Sequence, residues 1–253
     1  MKKRWMALLG AAVVTINLFA GCGSTGAEQT GNNADGTATE AVQGKDSAGG
    51  GNAAQSVAGS ADTVIVAMSP SSEPAAGFNP CINWGCGEHC HEPLIQSTLI
   101  RTNVDMEFEN DLATDYSVSE DGLTWTFHIR DDVKFTDGEP LTASDAAFTF
   151  NTALATPNSE ADLSMLDSVE APDDTTVIFH MSKPYNAFLY TLAVFGIVPE
   201  HCYDEAVYGE NPVGSGRYIL TQWDKGQQVV LEANPDYYGD EVQMKKDIVL
   251  FME

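Results

Sequence analysis

Three cysteines and two histidines lie within eleven residues of one loop, at Cys81, Cys86, His89, Cys90 and His91. Thiolates and imidazoles at such short spacing are the donors that zinc, nickel or copper prefers. The last four of these residues form the predicted ligand set, with nickel or another transition metal as the ligand. The spacing Cys81-x4-Cys86-x3-Cys90 matches no standard zinc module, because a paired second knuckle is absent.

Two other interpretations of this loop stay open. A disulfide, for example between Cys81 and Cys86 or Cys90, suits an exported protein. Unpaired thiols in a reducing, anaerobic setting are the third interpretation. Cys202 lies far downstream in the sequence, and no pairing is predicted for it. The sequence therefore indicates unusual thiol chemistry in the loop without deciding its form.

The net charge of the chain restricts its partners. Twelve basic and 37 acidic residues give a formal net charge of −25. Such a surface repels nucleic acid and anionic lipid headgroups, so we expect neither as a partner. It attracts cations and cationic solutes, although solubility outside the cell is a simpler reason for the same charge. With 43% hydrophobic residues, the chain can bury the core of one large domain or two small ones, and we expect a monomer.

The N-terminal segment is predicted to direct export. A basic start, KKR at residues 2–4, precedes an apolar run from Trp5 to Phe19 that is short for a bilayer span. The sequence LFAGC at residues 18–22 resembles a bacterial lipobox, in which the cysteine is acylated and becomes the mature N-terminus. We therefore expect a signal peptide over residues 1–21 and a lipid anchor on Cys22. Ordinary cleavage, with Cys22 as a plain thiol, is the alternative.

Residues 22–61 are predicted to form a flexible linker. The segment consists of Gly, Ala, Ser, Thr and Asn with scattered charges and almost no large apolar residue, so it cannot bury enough surface to fold. Flexible-chain scaling gives it a reach on the order of 35 Å. We expect it to join the lipid anchor to a globular body. This places the protein outside the cytoplasm, on the periplasmic side or the outer face of the cytoplasmic membrane.

The globular part is organised around the stretch from Asp111 to Leu154. Large apolar residues at positions 123, 125, 127 and 129 alternate with Thr, His and Arg, which is the period of a strand with one buried face. A turn at 137–140 then leads into a helix, because Thr142 and Asp145 fit a capping box. The apolar stripe of this helix extends to Leu154.

Weaker periodic patterns predict the remaining elements. They are a buried first strand at 62–68, packed residues at helical spacing within 158–169, a strand at 175–181, a short helix near 188–193, a hairpin of 218–223 with 228–233, and a buried strand at 248–251.

Two blocks of the sequence resemble a known family. DGLTWTFHIRDDVKFTDGEPLTASDAAF at 121–148 and NPVGSGRYILTQWDKGQQVVLEANPDYYGD at 211–240 are similar, in order and separation, to signatures of the extracytoplasmic solute-binding proteins of peptide and nickel ABC transporters, family 5. The resemblance covers roughly residue 62 to the end. It implies an α/β, periplasmic-binding-protein-like (type II) fold of two lobes with mixed sheets. Family members continue well past residue 253, so it also implies that 62–253 is the N-terminal lobe of a truncated chain.

The resemblance implies a receptor and not an enzyme. Such a receptor captures a solute between two lobes, closes by hinge motion and delivers the solute to an ABC permease and ATPase complex. Oligopeptides or dipeptides are the expected ligands, and nickel or a metal chelate is the alternative. A metal-dependent enzyme or metal store is a third hypothesis. No catalytic residue is predicted, because the sequence has no Gly-x-Ser-x-Gly, His-Glu-x-x-His or phosphate-loop motif.

The resemblance also implies which residues line the ligand cleft. In the family, the loop after the first strand borders the cleft, so Trp84, Cys86, His89 and Cys90 are predicted to contact the ligand. Trp84 offers a stacking surface there, although a tryptophan can equally pack in a core.

Nickel-type relatives clamp a carboxylate-rich chelator with arginines from two segments. The matching segments here, about 158–163 and 193–196, contain no arginine. They carry Glu160, Asp162 and Phe195 instead, which are predicted to contact the ligand. This composition weakens the case for an anionic chelate.

Overall fold

The structure, a computed structural model, describes residues 61–82, 93–157 and 162–253. In chain order its elements are β1 (Thr63–Met68), β2 (Ile100–Thr102), β3 (Phe108–Asn110), β4 (Ala113–Val118), β5 (Thr124–Ile129), α1 (Ala143–Ala155), β6 (Leu166–Asp173), β7 (Thr176–Met181), α2 (Phe188–Val194), β8 (Tyr218–Asp224), β9 (Gln228–Ala233) and β10 (Lys246–Phe251). Two 3₁₀ helices, Pro70–Ser72 and Glu200–Cys202, stand between them. No helix in these three ranges is long and apolar enough to cross a membrane.

One antiparallel sheet has the strand order β4-β5-β7-β6 and carries the larger core. Its strand β5 confirms the predicted alternation, because Trp125, Phe127 and Ile129 are all buried. The side chain of Phe179, in β7 of this sheet, packs against both helices. Its ring centroid is 5.0 Å from that of Phe150 in α1 and 5.2 Å from that of Phe188 in α2. Aromatic edge-to-face contacts therefore join the sheet to the helices that cover it.

The predicted capping box at the start of α1 is confirmed. The carboxylate oxygen Oδ2 of Asp145 accepts hydrogen bonds from the backbone N of Thr142 at 2.8 Å and from its Oγ1 at 3.1 Å. The other oxygen, Oδ1, accepts from the backbone N of Glu200 at 2.9 Å. One buried carboxylate thus begins a helix and also fixes a distant 3₁₀ helix.

Residues 162–169, the described part of this predicted segment, do not form a helix, because a strand begins at Leu166. Leu166 pairs with Met181 and Val169 pairs with Phe179, with a register irregularity after Leu166. This β-bulge absorbs one residue, so two side chains three positions apart lie on the same face of the sheet. Both are buried, as the prediction of a packed segment required, but in a strand.

The second sheet has the order β1-β10-β9-β8. Strands β8 and β9 form the predicted hairpin, with Gly226 at φ 75° in its turn, and β10 runs parallel to β1. The prediction of a buried β1 is wrong, because Ile65 and Val66 are each 38% exposed. Within the described residues β1 is an edge strand with β10 as its neighbour, and an edge strand is covered less than a central one.

Candidate functional site

The loop with the cysteines and histidines is described only at its two ends. Trp84, Cys86, His89, Cys90 and His91 fall outside the described residues, and so does Glu160 of the second predicted segment. Their proposed contacts with a ligand or metal remain predictions. The structure does describe the two stems of the loop, residues 78–82 and 93–97.

Cys81, at the first stem, is a core residue. It is a free thiol with no exposed surface, and its Sγ donates a hydrogen bond to the carbonyl oxygen of Thr149 at 3.7 Å. Burial raises the pKa of Cys81 to about 12, which keeps the thiol protonated. The structure thus places Cys81 in the core beside α1 rather than on the surface of the loop.

Hydrogen bonds fix the first stem to the body of the protein. The backbone N of Phe78 donates to the carbonyl of Gly209 at 2.8 Å. The Nδ2 of Asn79 donates to the hydroxyl of Tyr203 at 3.0 Å, and its Oδ1 accepts from the backbone N of Cys81 at 3.1 Å. Asn79 is 1% exposed, so these bonds satisfy a buried amide.

Hydrogen bonds also fix the second stem to the body of the protein, and one of them joins it to the first stem. The carbonyl oxygens of Leu94 and Ile95 accept from the backbone N of Tyr218 and Gly216 at 2.9 and 2.8 Å. The buried Gln96 donates from Nε2 to the carbonyl of Phe78 at 3.0 Å. One hydrogen-bond network therefore positions both ends of the loop.

The second stem packs directly against the backbone of the GSG turn at 214–216. A Cβ atom built on Gly214 would lie 2.0 Å from the carbonyl oxygen of Ile95, and one on Gly216 would lie 2.6 Å from that of Leu94. No residue with a side chain fits at these distances. These glycines therefore have a structural role, which is to let the stem of the loop sit against the second sheet.

Asp162 is the one residue of the two predicted ligand segments that the structure shows as an exposed charged side chain. Its Oδ2 accepts from the hydroxyl of Tyr185 at 2.7 Å and its Oδ1 from the Oγ of Ser164 at 2.8 Å. These hydrogen bonds lower the pKa of Asp162. The site thus presents an oriented anionic carboxylate, which suits a cationic group of a ligand.

Residues 107–253, more than half of the chain, match the family described as bacterial extracellular solute-binding proteins, family 5 Middle. The chain belongs to this family. Its antiparallel sheet, its mixed sheet and its two helices agree with the α/β, type II periplasmic-binding-protein fold that the sequence resemblance implied.

Relatives of this solute-binding chain differ in their ligands. The chain is 34% identical to the probable D,D-dipeptide-binding periplasmic protein DdpA of Escherichia coli (strain K12) over 174 residues, which is 65% of this chain and 34% of the relative. It resembles the structure of NikZ from Campylobacter jejuni in complex with Ni(L-His), with a TM-score of 0.67, 29% identity and coverage of 76% and 39% of the two chains. It also resembles AppA from Bacillus subtilis in complex with a nonapeptide, with a TM-score of 0.64, 25% identity and coverage of 75% and 40%. The chain spans about a third of the length of the curated relatives that it matches.

Phe195, which the family resemblance predicted to contact the ligand, lies in the core of this structure. The residue is 1% exposed, and its ring lies 5.0 Å from that of Phe150. The side chain of Phe195 is therefore enclosed in the core, and its contact with a ligand remains a prediction. Thr191 connects it to the exposed Asp162, since Thr191 donates from Oγ1 to the carbonyl of Asp162 at 3.4 Å and accepts from the backbone N of Phe195 at 3.0 Å.

The structure also brings together three residues that sequence reasoning did not combine. Nε2 of His201 lies 2.7 Å from Oδ2 of Asp137, and Sγ of Cys202 donates to the same oxygen at 3.8 Å. Partial burial acts to raise the pKa of Asp137, but the hydrogen bonds with His201 and the backbone N of Glu139 and the electrostatic attraction of His201 together outweigh it, so the pKa is lowered. Burial and the charge of Asp137 raise the pKa of Cys202. The sequence signal was weak, because 64 positions separate His201 from Asp137.

Proposed function

We propose that this solute-binding chain captures oligopeptides or dipeptides outside the membrane and delivers them to an ABC permease. The observation that carries the proposal is the 34% identity to a probable D,D-dipeptide-binding protein over 174 residues. The likeness to AppA, solved with a nonapeptide, supports the same ligand class. The role needs no catalysis, because an importer receptor only binds and releases its solute.

The charges of the described residues favour a peptide over an anionic chelate. Residues 162–163 and 193–196, which match the chelate-clamping segments of nickel-type relatives, contain no arginine. The exposed carboxylate of Asp162 attracts an ammonium group, such as the terminus or a basic side chain of a peptide. The formal charge of −25 acts in the same direction at longer range.

A nickel or metal-chelate ligand is the second candidate function. The likeness to NikZ, solved with Ni(L-His), supports it at the level of the fold and of 29% identity. The predicted ligands of such a metal are Cys86, His89, Cys90 and His91. In this case the loop would fill open positions on a metal that a small chelator already holds.

Native mass spectrometry of the full chain decides between these ligands. We expect a monomer that retains dipeptides or tripeptides from a mixture and that does not retain Ni²⁺ with histidine. Changing Asp162→Asn should weaken the binding of a lysine-containing tripeptide about tenfold, which is the usual effect of losing one charge-assisted contact. Asp173→Asn is the matched control, because Asp173 is also exposed and also accepts bonds from a neighbouring residue, Thr175.

Two outcomes would contradict the peptide proposal. One is retention of nickel without peptide, lost when His89→Ala and Cys90→Ala are introduced, which would support the metal-chelate candidate. The other is the absence of any bound peptide at millimolar concentration. An equal effect of the Asp162 and Asp173 substitutions would remove Asp162 from the ligand contacts while leaving the ligand class intact.

We further propose that residues 1–21 are a lipoprotein signal peptide and that residues 22–61 tether the solute-binding lobe to an acylated Cys22. Changing Cys22→Ser should move the protein from the membrane fraction to the soluble fraction and abolish incorporation of labelled palmitate, because the acceptor thiol is gone. Cys202→Ser, which removes another thiol, should leave both unchanged. Membrane retention of the Cys22→Ser protein would overturn the anchor.

A further inference from the structure

We propose that Asp137, His201 and Cys202 form a metal site for a borderline divalent cation such as Zn²⁺, separate from the cysteine and histidine loop and beyond the proposed transport function. One oxygen, one nitrogen and one sulfur atom of these residues lie within 4.8 Å of one another. Carboxylate, imidazole and thiolate are the three donor types that zinc binds in proteins. All three side chains reach the surface, so an ion can enter.

The backbone holds Asp137 in an orientation that presents one oxygen to the other two residues. Asp137 lies in a tight turn in which the backbone N of Gly138 donates to the carbonyl of Phe135 at 2.9 Å. Its Oδ1 accepts from the backbone N of Glu139 at 3.2 Å. The remaining oxygen, Oδ2, faces both His201 and Cys202. The carboxylate is therefore oriented before any ion binds.

The 3₁₀ helix Glu200–Cys202 fixes the other two donors. The backbone N of Glu200 donates to the buried Asp145 at 2.9 Å. The carboxylate of Glu200 accepts a hydrogen bond from the Oγ of Ser144 at 2.6 Å. The ring of His201 also packs 5.9 Å from that of Phe135. Because these contacts order the segment already, little conformational entropy remains to be lost on metal binding.

The distances suit a tetrahedral ion after a small adjustment. Donor atoms around zinc are about 3.3–3.8 Å apart, as its bond lengths of roughly 2.0–2.3 Å require. The sulfur-to-oxygen distance is 3.8 Å, and the nitrogen-to-oxygen distance of 2.7 Å must lengthen by about 0.6 Å. On binding, Cys202 releases its thiol proton to solvent, the ion displaces the proton that lies between Nε2 of His201 and Asp137, and His201 binds through Nε2 with a proton on Nδ1.

Three protein donors leave a fourth position for water or a small ligand. Asp137 also lines an open cleft of about 530 Å³, together with Lys134, Asp236 and Tyr237. This space lets an exogenous ligand approach the ion. The site therefore has the open coordination that distinguishes reactive or exchangeable metal sites from closed structural ones.

Two other histidine and carboxylate pairs on the described surface provide a comparison. His128 lies 2.8 Å from Asp115, and His180 lies 2.8 Å from Glu170. Within residues 61–82, 93–157 and 162–253, only the pair of His201 and Asp137 is joined by a third metal-binding side chain. His128→Gln is thus a matched control that removes an exposed histidine and carboxylate pair without a thiol.

A titration of the full chain with Co²⁺, carried out in the presence of a phosphine reductant, tests the site. To silence the loop, all proteins carry Cys86→Ser, His89→Gln, Cys90→Ser and His91→Gln. We expect Co²⁺ to give a thiolate-to-metal charge-transfer band and intense tetrahedral d–d bands. Cys202→Ser should abolish the charge-transfer band and His201→Gln should weaken affinity at least about tenfold, whereas His128→Gln should change neither.

Two results would overturn the site. One is the absence of a charge-transfer band in the loop-silenced protein. The other is an equal loss of affinity in the His201→Gln and His128→Gln variants, which would mean nonspecific surface binding. Peptide binding is measured separately, on a Cys202→Ser variant whose loop is native, and we expect no change. Failure of the metal site is therefore distinguishable from failure of the proposed transport function.

Discussion

Changing Phe179→Ala is expected to lower the free energy of unfolding by about 3–5 kcal/mol. Phe179 has no exposed surface. Its ring centroid lies 5.6 Å from Phe127, 5.0 Å from Phe150 and 5.2 Å from Phe188, in each case edge to face. The substitution removes aromatic contacts with the sheet and with both helices at once, and the cavity it leaves is enclosed by rigid rings that cannot collapse easily.

Urea denaturation followed by circular dichroism measures this loss. For a folded region of this size, it corresponds to a fall in melting temperature of roughly 6–20 °C. Tyr190→Ala is the control, because it removes an aromatic ring from α2 that is 56% exposed and contacts Phe108. We expect it to cost about 1 kcal/mol or less. Equal losses in the two variants would show that Phe179 is not the centre of this core.

Sequence periodicity predicted the central elements because their burial is one-sided. The alternation through Trp125 and Phe127 sets one face of β5, and a slip by one residue would expose that whole face. The start of α1 was predictable because the capping interaction between Thr142 and Asp145 is local in sequence. Where a short-range rule decides the geometry, the pattern is sufficient.

Long-range pairing decided the elements that periodicity missed. Leu166 and Val169 have the spacing of a helix, and only pairing with β7 reveals the bulge that puts them on one face of a strand. Ile65 and Val66 have the composition of a central strand, yet the position of β1 at a sheet edge leaves them partly exposed. Composition states that a residue can be buried, but the neighbouring strands decide whether it is.

The sequence predicted the candidate site only in part, as it did the fold. Family resemblance predicted Asp162 and Phe195 as ligand contacts, but only the fold shows that Asp162 is exposed and that Phe195 is buried against Phe150 of α1. Clustering in sequence grouped Cys81 with the loop, although its thiol packs against Thr149, 68 positions away. Asp137 meets His201 and Cys202 only through the fold, so no spacing rule could unite them.

The glycine turn at 214–216 gives the second large expected effect. Changing Gly214→Ala should lower the free energy of unfolding by at least about 3 kcal/mol. The new Cβ would lie 2.0 Å from the carbonyl oxygen and 2.8 Å from the carbonyl carbon of Ile95, and these backbone atoms cannot rotate away as a side chain would. Gly214 also accepts a hydrogen bond from the backbone N of Thr136 at 2.9 Å, which hinders movement in the other direction.

A second glycine separates this overlap from the ordinary cost of replacing a glycine. Gly226 has φ 75° but no atom within 4 Å of an added Cβ, so Gly226→Ala should cost only about 1–2 kcal/mol through backbone strain. Chemical denaturation of both variants measures the difference, and equal costs would refute the close approach at Gly214. Because Ile95 belongs to the second stem of the loop, Gly214→Ala should also weaken solute binding, whereas Gly226→Ala should leave binding unchanged.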